Sequence, residues 1–344
     1  MSFMLAEIKE QPEILARIRL EAREEVGELA ARVKEREIEF IVFAARGTSD
    51  HAAIFGQYFL SYLTGLPVAL AAPSLVTIYR RPLRLGKALA IGISQSGAAA
   101  DVAEYLAAAR SSGALTALIT NNPDSPMAGS VDHLLLCRAG EEKAVAATKT
   151  YTAEMALLAM LGLALSGDDA LAHAFAELPG KVAQTLALES AVRAGVERYA
   201  FIEECLVLAR GLNQATALEA ALKIQETSLI GAKGFSAADF AHGPIALVRR
   251  NMPALLFAPA GAALEGLLET GALVRERGGE LIVFSDLERA LAMGRTAFRL
   301  PEVIEIFSPF TCITAAQLFA CFLALAKGLD PDRPAGLTKV TVTR

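Results

Sequence analysis

The apolar positions change their period near residue 40. Before it, Ile14, Ile18, Val26, Leu29 and Val33 recur on one face among alternating Glu and Arg, which predicts helix, with Pro12 suited to a first helical turn. After it, short β-branched runs alternate with Ala- and Leu-rich stretches. Phe40-Ile41-Val42-Phe43-Ala44 predicts a strand and His51 to Leu63 a helix. Ala88 to Ile93 predicts a strand, Ala98 to Arg110 a helix and Leu115 to Thr120 a further strand. This alternation predicts an α/β protein of βαβ units around a parallel sheet.

The landmarks come round twice. Gly47, after Arg46, closes the first strand, and Gly211, after Arg210, closes Leu206-Val207-Leu208. Gly97 and Gly261 each follow a strand, and Ala117-Leu118-Ile119 matches Leu281-Ile282-Val283. Gly47 and Gly211, Gly97 and Gly261, and Ala117 and Leu281 are each 164 residues apart, which predicts a duplicated α/β unit. The predicted order is a helical N-terminal segment (1–34), a first domain (35–165), a helical linker (166–194), a second domain (195–328) and a C-terminal tail (329–344). Gly167 and Pro179-Gly180 are expected as breaks in the linker, and the Pro-rich tail is too short to fold alone.

Composition narrows the function. With 53% apolar and 21% charged residues among 344, the chain can bury a sizeable core, so wholesale disorder is excluded. The net charge of -5 argues against gripping nucleic acid or membrane by bulk positive charge. Met1 to Glu10 shows no signal-peptide pattern. Met155 to Leu165, read as the richest apolar run, is too short to cross a bilayer. Cys137, Cys205, Cys312 and Cys321 lie in apolar stretches with no CxxC spacing and are expected as buried, reduced thiols. The expectation is a soluble, cytoplasmic protein with neither membrane nor nucleic acid as partner.

Two segments can carry chemistry. Ser94-Gln95-Ser96-Gly97 links a strand directly to a helix, where unpaired N–H groups favour an anion and two hydroxyls and an amide add donors. A plain serine cap is the alternative reading. The equivalent turn, Ala258-Pro259-Ala260-Gly261, keeps the glycine and loses the hydroxyls, so one repeat is expected to hold phosphate and the other only the fold. Gly47-Thr48-Ser49 gives a second donor set suited to a sugar hydroxyl or a phosphate edge, against Gly211-Leu212-Asn213 in the second repeat. In that repeat Glu219, Lys223 and Glu226 share one helix face. Spacing alone favours solvated salt bridges there, worth about 0.2–0.5 kcal/mol each. Asp239 stands three residues before His242, close enough on a helical turn for its carboxylate to orient the imidazole. His51, His133, His173 and His242 show no metal-ligand spacing, so neither metal nor cofactor is expected.

Taken in order, Met4 to Pro12, Arg46 to Ser49, Ser94 to Gly97, Val145 to Lys149, Glu219 to Glu226, His242 to Leu247 and Leu337 to Lys339 resemble the sugar isomerase (SIS) family. The chain is similar to the isomerase half of glutamine-dependent glucosamine-6-phosphate synthase and to stand-alone phosphosugar isomerases and deaminases. The resemblance implies two tandem flavodoxin-like domains. It implies a phosphosugar held by Ser94, Gln95 and Ser96, with Thr48, Ser49 and Ala147 nearby. By the same carry-over Glu226 shuttles a proton between C1 and C2, Lys223 assists, His242 opens the sugar ring and Lys339 forms an imine. A homodimer is expected, with His242 lent across its interface.

The departures shape the expected reaction. The chain begins Met1-Ser2-Phe3, without the N-terminal Cys of an amidotransferase half. Ala98 and Ala99 stand where the family has an acid and a threonine, and Ala147 replaces a serine. With Glu226, His242 and Lys339 retained and no glutaminase half, the expected reaction converts glucosamine 6-phosphate to fructose 6-phosphate and ammonia. Alternatives are isomerisation or deglycation of another phosphosugar such as a fructosamine 6-phosphate, a synthase-type half using a separate amidase or free ammonia, and a silent phosphosugar sensor. No basic helix-turn-helix precedes residue 35, which speaks against the sensor.

Overall fold

The structure, a computed structural model, describes residues 2–339. The predicted N-terminal helix is three: α1 (Phe3–Lys9), α2 (Gln11–Glu21) and α3 (Arg23–Glu35). Pro12 takes the second position of α2, where a missing N–H costs nothing. The chain forms two compact units. One comprises Glu13–Glu142, Lys149–Ala176 and Lys339; the other comprises residues up to Pro12, Lys143–Thr148 and Glu177–Thr338.

The first unit contains β1 (Phe40–Ala44), β2 (Val68–Leu70), β3 (Ala88–Ile93), β4 (Leu115–Thr120) and β5 (His133–Leu136). They form one parallel sheet in the order β2-β1-β3-β4-β5. Its helices are α4 (Thr48–Thr64), α5 (Ser74–Thr77), α6 (Ala100–Ser111) and α7 (Lys149–Ser166). Val42, Ala44, Ala88 and Ala90 pack on one face against Val76 of α5 and Val102, Tyr105 and Leu106 of α6. On the other face α4 and α7 meet through small residues. A Cβ on Gly56 of α4 would stand 2.9 Å from the Phe43 ring and 3.0 Å from Leu158 of α7. Every residue of β3 and β4 is buried, because helices cover both faces, so these strands read as unbroken apolar runs.

The second unit repeats the plan. Its helices are α8 (Asp169–Leu186), which the division between the units cuts, α9 (Glu189–Val196), α10 (Gln214–Ser228), α11 (Ala237–Ala241), α12 (Leu264–Glu276), α13 (Glu288–Leu291) and α14 (Ser308–Ala326). Strands β6 (Glu204–Ala209), β7 (Gly231–Ser236), β8 (Pro253–Phe257), β9 (Glu280–Ser285) and β10 (Thr296–Arg299) are parallel in the order β10-β9-β8-β6-β7. Read from β7, this is the order of the first sheet. The strand order 2-1-3-4-5 is the flavodoxin-like one, so both sheets are of that type.

One expectation is corrected. Pro179-Gly180 does not break the linker: Pro179 lies inside α8, whose stripe of Phe175, Leu178 and Val182 is buried across it. A second apolar segment, longer than Met155 to Leu165, is Glu305 to Ala326, within which an 18-residue window has mean hydropathy 1.8. It is long and apolar enough to cross a membrane, but 89% of it is buried and α14 packs on α10 as a core helix. A helix buried all round shows no amphipathic period, so its length was invisible to the pattern.

The start of α1 is capped from the far end of the sequence. The Asp332 carboxylate accepts the Phe3 N–H at 2.7 Å and the Met4 N–H at 2.8 Å. These are among the donors a helix start leaves without intrahelical partners. The Asp332 carbonyl accepts from Val145 N–H at 3.1 Å, and the Glu7 carboxylate accepts from the N–H groups of Lys143 and Ala144. Part of the tail thus docks on α1 and on segment 143–148.

Candidate functional site

In the first unit β1 and β3 are neighbours, with Ala44 paired to Gly92. Helix α4, which follows β1, and α6, which follows β3, lie on opposite faces of the sheet. The strands therefore open at their carboxyl ends into a crevice, the usual ligand position in such folds. Both loops at this point carry hydroxyls. Gly47 and Gly97 hold φ of 57° and 64°, a left-handed conformation in which glycine is least strained. A side chain on Gly97 would also run into Ser125 and stand 3.0 Å from Thr120 Oγ1.

The turn is braced from behind. Gly97 N–H donates to the Ser94 carbonyl at 3.0 Å, Asn121 N–H to the Gln95 carbonyl at 3.0 Å, and the Thr120 hydroxyl to the same carbonyl at 3.2 Å. Ser94 is buried, whereas Gln95 and Ser96 are half-buried. Among the described residues Ser96 Oγ accepts only the Ala98 N–H, at 3.3 Å, and the N-cap of α6 is Ala99, which has no side-chain acceptor to offer. At the other loop Thr48 is half-buried, while the Ser49 hydroxyl turns inward and donates to Glu154 Oε1 at 2.9 Å.

The second repeat shows what such a turn does. Ala258-Pro259-Ala260-Gly261 is followed by α12, and there the Glu305 carboxylate accepts from Ala262 N–H at 2.7 Å and Ala263 N–H at 3.3 Å. A Cβ on Gly261 would collide with that carboxylate. An anion from the protein itself sits on this helix start. Among the described residues no carboxylate takes the corresponding place at Ala98 and Ala99.

On α10 the acid–amine–acid face is not the solvated one that spacing favoured. The side chains of Glu219 and Lys223 are wholly buried. Lys223 Nζ lies 3.4 Å from Glu219 Oε1 and 2.5 Å from Glu226 Oε2. The latter contact is a charge pairing. A buried ammonium requires such partners. Glu226 is the one member with solvent access, its side chain 24% exposed.

His242 is exposed, at the carboxyl cap of α11. The carboxylate–imidazole contact expected with Asp239 is not made. His242 N–H donates to the Asp239 carbonyl at 3.1 Å, so the backbone of this short helix, not its side chains, joins the two residues. Ala147 is half-buried in segment 143–148, whose Thr148 carbonyl accepts from Gln317 Nε2 at 3.2 Å. Lys339 Nζ lies 3.0 Å from Glu142 Oε2, within the first unit.

The roles of four residues escaped the sequence reading. Arg46 is anchored by Nε to Asp101 Oδ2 at 2.5 Å, and Asp101 is buried in the first turn of α6. Glu142 is buried within what looks like a surface Glu-Glu-Lys run. Burial raises the Asp50 carboxyl above its ordinary range, with the His51 and Arg46 charges pulling it back. All four cysteines are free and buried, and burial pushes the Cys205 thiol up to about 12 and Cys321 to about 11. Among the described residues no three His, Cys, Asp or Glu side chains group as a metal requires.

Two flavodoxin-like sheets in one chain define a duplicated α/β protein whose two turns differ: among the described residues a carboxylate covers the amides of the second and none covers those of Ala98 and Ala99 in the first. The chain belongs to the SIS domain family, whose pattern matches residues 36–164 and 203–327. It is 36% identical over 357 residues to the glutamine–fructose-6-phosphate aminotransferase [isomerizing] of Bordetella parapertussis, covering 99% of this chain and 58% of that protein. The chain thus spans little more than half the length of that relative. A Silicibacter pomeroyi DSS-3 structure provisionally described as a phosphosugar isomerase superposes with TM-score 0.89 at 32% identity, covering 96% of this chain and all of that one. The glucosamine-6-phosphate deaminase of Thermotoga maritima gives TM-score 0.81 at 20% identity over 99% of this chain and 100% of that one, a likeness of fold alone.

Proposed function

We propose that the protein is an enzyme of the phosphosugar isomerase type and that its reaction converts glucosamine 6-phosphate to fructose 6-phosphate and ammonia. The observation that carries the reading is the contrast between the two turns. Where the Glu305 carboxylate takes the Ala262 and Ala263 N–H groups, no carboxylate among the described residues takes those of Ala98 and Ala99, and the one in the first turn of α6, Asp101, is engaged with Val102 N–H and Arg46. A phosphate monoester supplies the missing anion, taken up by Ser94, Gln95 and Ser96 with Thr48 beside them.

Isomerisation needs one base to take the proton from C2 and return it at C1. Glu226, part-exposed and fixed by Lys223, suits that role. His242 opens the ring, from a partner subunit of a homodimer, and the Lys339 amine holds the open chain as an imine. With an amine at C2, moving the proton leaves a C2 imine. Water then adds, the C–N bond breaks, and ammonia departs as the ketose forms. The identity to the Bordetella aminotransferase favours a second reading, the same steps run from fructose 6-phosphate and ammonia.

Coupled measurement of ammonia release from glucosamine 6-phosphate, and of its formation in reverse, tests both. Glu226→Gln should lower the rate by about 10²–10⁴-fold, the usual share of a positioned base. No turnover in either direction, with Glu226→Gln no worse than the parent, discards the proposal.

A further inference from the structure

The Glu142 carboxylate is wholly buried yet accepts from Thr150 N–H at 3.2 Å, the Thr150 hydroxyl at 2.7 Å and Lys339 Nζ at 3.0 Å. Thr150 is the second residue of α7, so the carboxylate is fixed by a helix start and not by a loop. The Lys339 side chain is 27% exposed and lies in an irregular segment. Four rotatable bonds would let its amine sweep a wide volume, and holding a lysine still costs up to about 2 kcal/mol of rotamer freedom. Attack on a carbonyl demands the opposite, reacting atoms held about 3–3.5 Å apart.

From this geometry we infer that Glu142 is the positioning residue for the Lys339 amine, a latch that fixes Nζ until a sugar carbonyl displaces it. The inference rests on the role proposed above for Lys339. In the step it serves, the ammonium gives up a proton to solvent, Nζ adds to the carbonyl carbon, water leaves, and a C=N bond replaces the Glu142 contact. Glu142 touches no reacting atom of the sugar.

Glu142→Gln is the informative variant, because its amide oxygen still accepts from Thr150 while the charge facing Lys339 is gone. Trace acetylation with acetic anhydride, read by peptide mapping, should label Lys339 on the order of tenfold faster in Glu142→Gln than in the parent, with other lysines unchanged and Glu142→Asp intermediate. With glucosamine 6-phosphate as substrate, kcat should fall while KM holds, and Glu142→Asp should recover part of the loss. Equal labelling of Lys339 in parent and Glu142→Gln overturns the latch.

Should Glu142→Gln fail to fold, the parent alone decides. Lys339 must acetylate more slowly than the exposed Lys233, and equal rates refute the proposal. Borohydride reduction in the presence of fructose 6-phosphate separates the two ideas. Absence of a reduced adduct on Lys339 removes its imine role, whereas the labelling contrast needs no substrate and judges Glu142 by itself.

Discussion

Lys223 shows most sharply how burial changes the meaning of a sequence pattern. Glu–Lys–Glu at helical spacing is a common solvated arrangement, worth a few tenths of a kcal/mol. Here Lys223 and Glu219 lie wholly inside, and the ammonium stands between two carboxylates. Removing one member of a buried set leaves its partners charged and without compensation, at about 3–5 kcal/mol. Lys223→Met should therefore lower the unfolding free energy by roughly that amount in urea titration. A loss under about 1 kcal/mol, the value typical of surface pairs, would mean the triad is hydrated.

At the scale of elements, the start of α12 behaves as a capped helix whose cap comes from Glu305, some forty residues on. Glu305→Ala should cost about 1 kcal/mol, as loss of a capping group does. It should also make the melting temperature respond to added phosphate more than the parent's does, because the amides of Ala262 and Ala263 then accept an external anion. An unchanged response would show that a carboxylate was not the only thing keeping anions out.

Elements were also where the sequence was most legible. β3 and β4 begin and end at the predicted residues, since a strand covered on both faces is one apolar run bounded by turn residues. The repeat was legible from landmarks such as Gly97 and Gly261, and α6 and α12 start at Ala100 and Leu264, the same 164 apart. Long-range polar contacts were not. Arg46–Asp101, Glu142–Lys339 and Phe3–Asp332 join residues 55, 197 and 329 positions apart, and no local period records such pairs. The Ser94–Gly97 turn could be picked out by its hydroxyls, whereas the carboxylate filling its counterpart could not, because Glu305 reaches it only through the fold.

Across the whole molecule, acid stability follows from carboxylates held in their charged form. The Glu280 carboxyl lies below its ordinary range, chiefly because Arg198 hydrogen-bonds it at 2.7 and 2.8 Å, against some opposition from burial. A carboxyl whose folded pKa is depressed adds stability above its unfolded pKa, about 4.3 for Glu, and loses it as pH falls through the folded value. Glu280→Gln should lower stability at pH 7 and flatten the fall in stability below about pH 4.5. Thermal melts from pH 7 to pH 3 measure this, and parallel curves for parent and variant would show that Glu280 is not part of the acid response.

Glu305 also bears on any redesign of the second repeat. Serines introduced at Ala258 and Ala260 while the carboxylate stays would meet an occupied seat; removing the carboxylate alone leaves two amides without that acceptor. Either change by itself therefore leaves the second turn filled or short of a partner, so equipping it like the first takes both together.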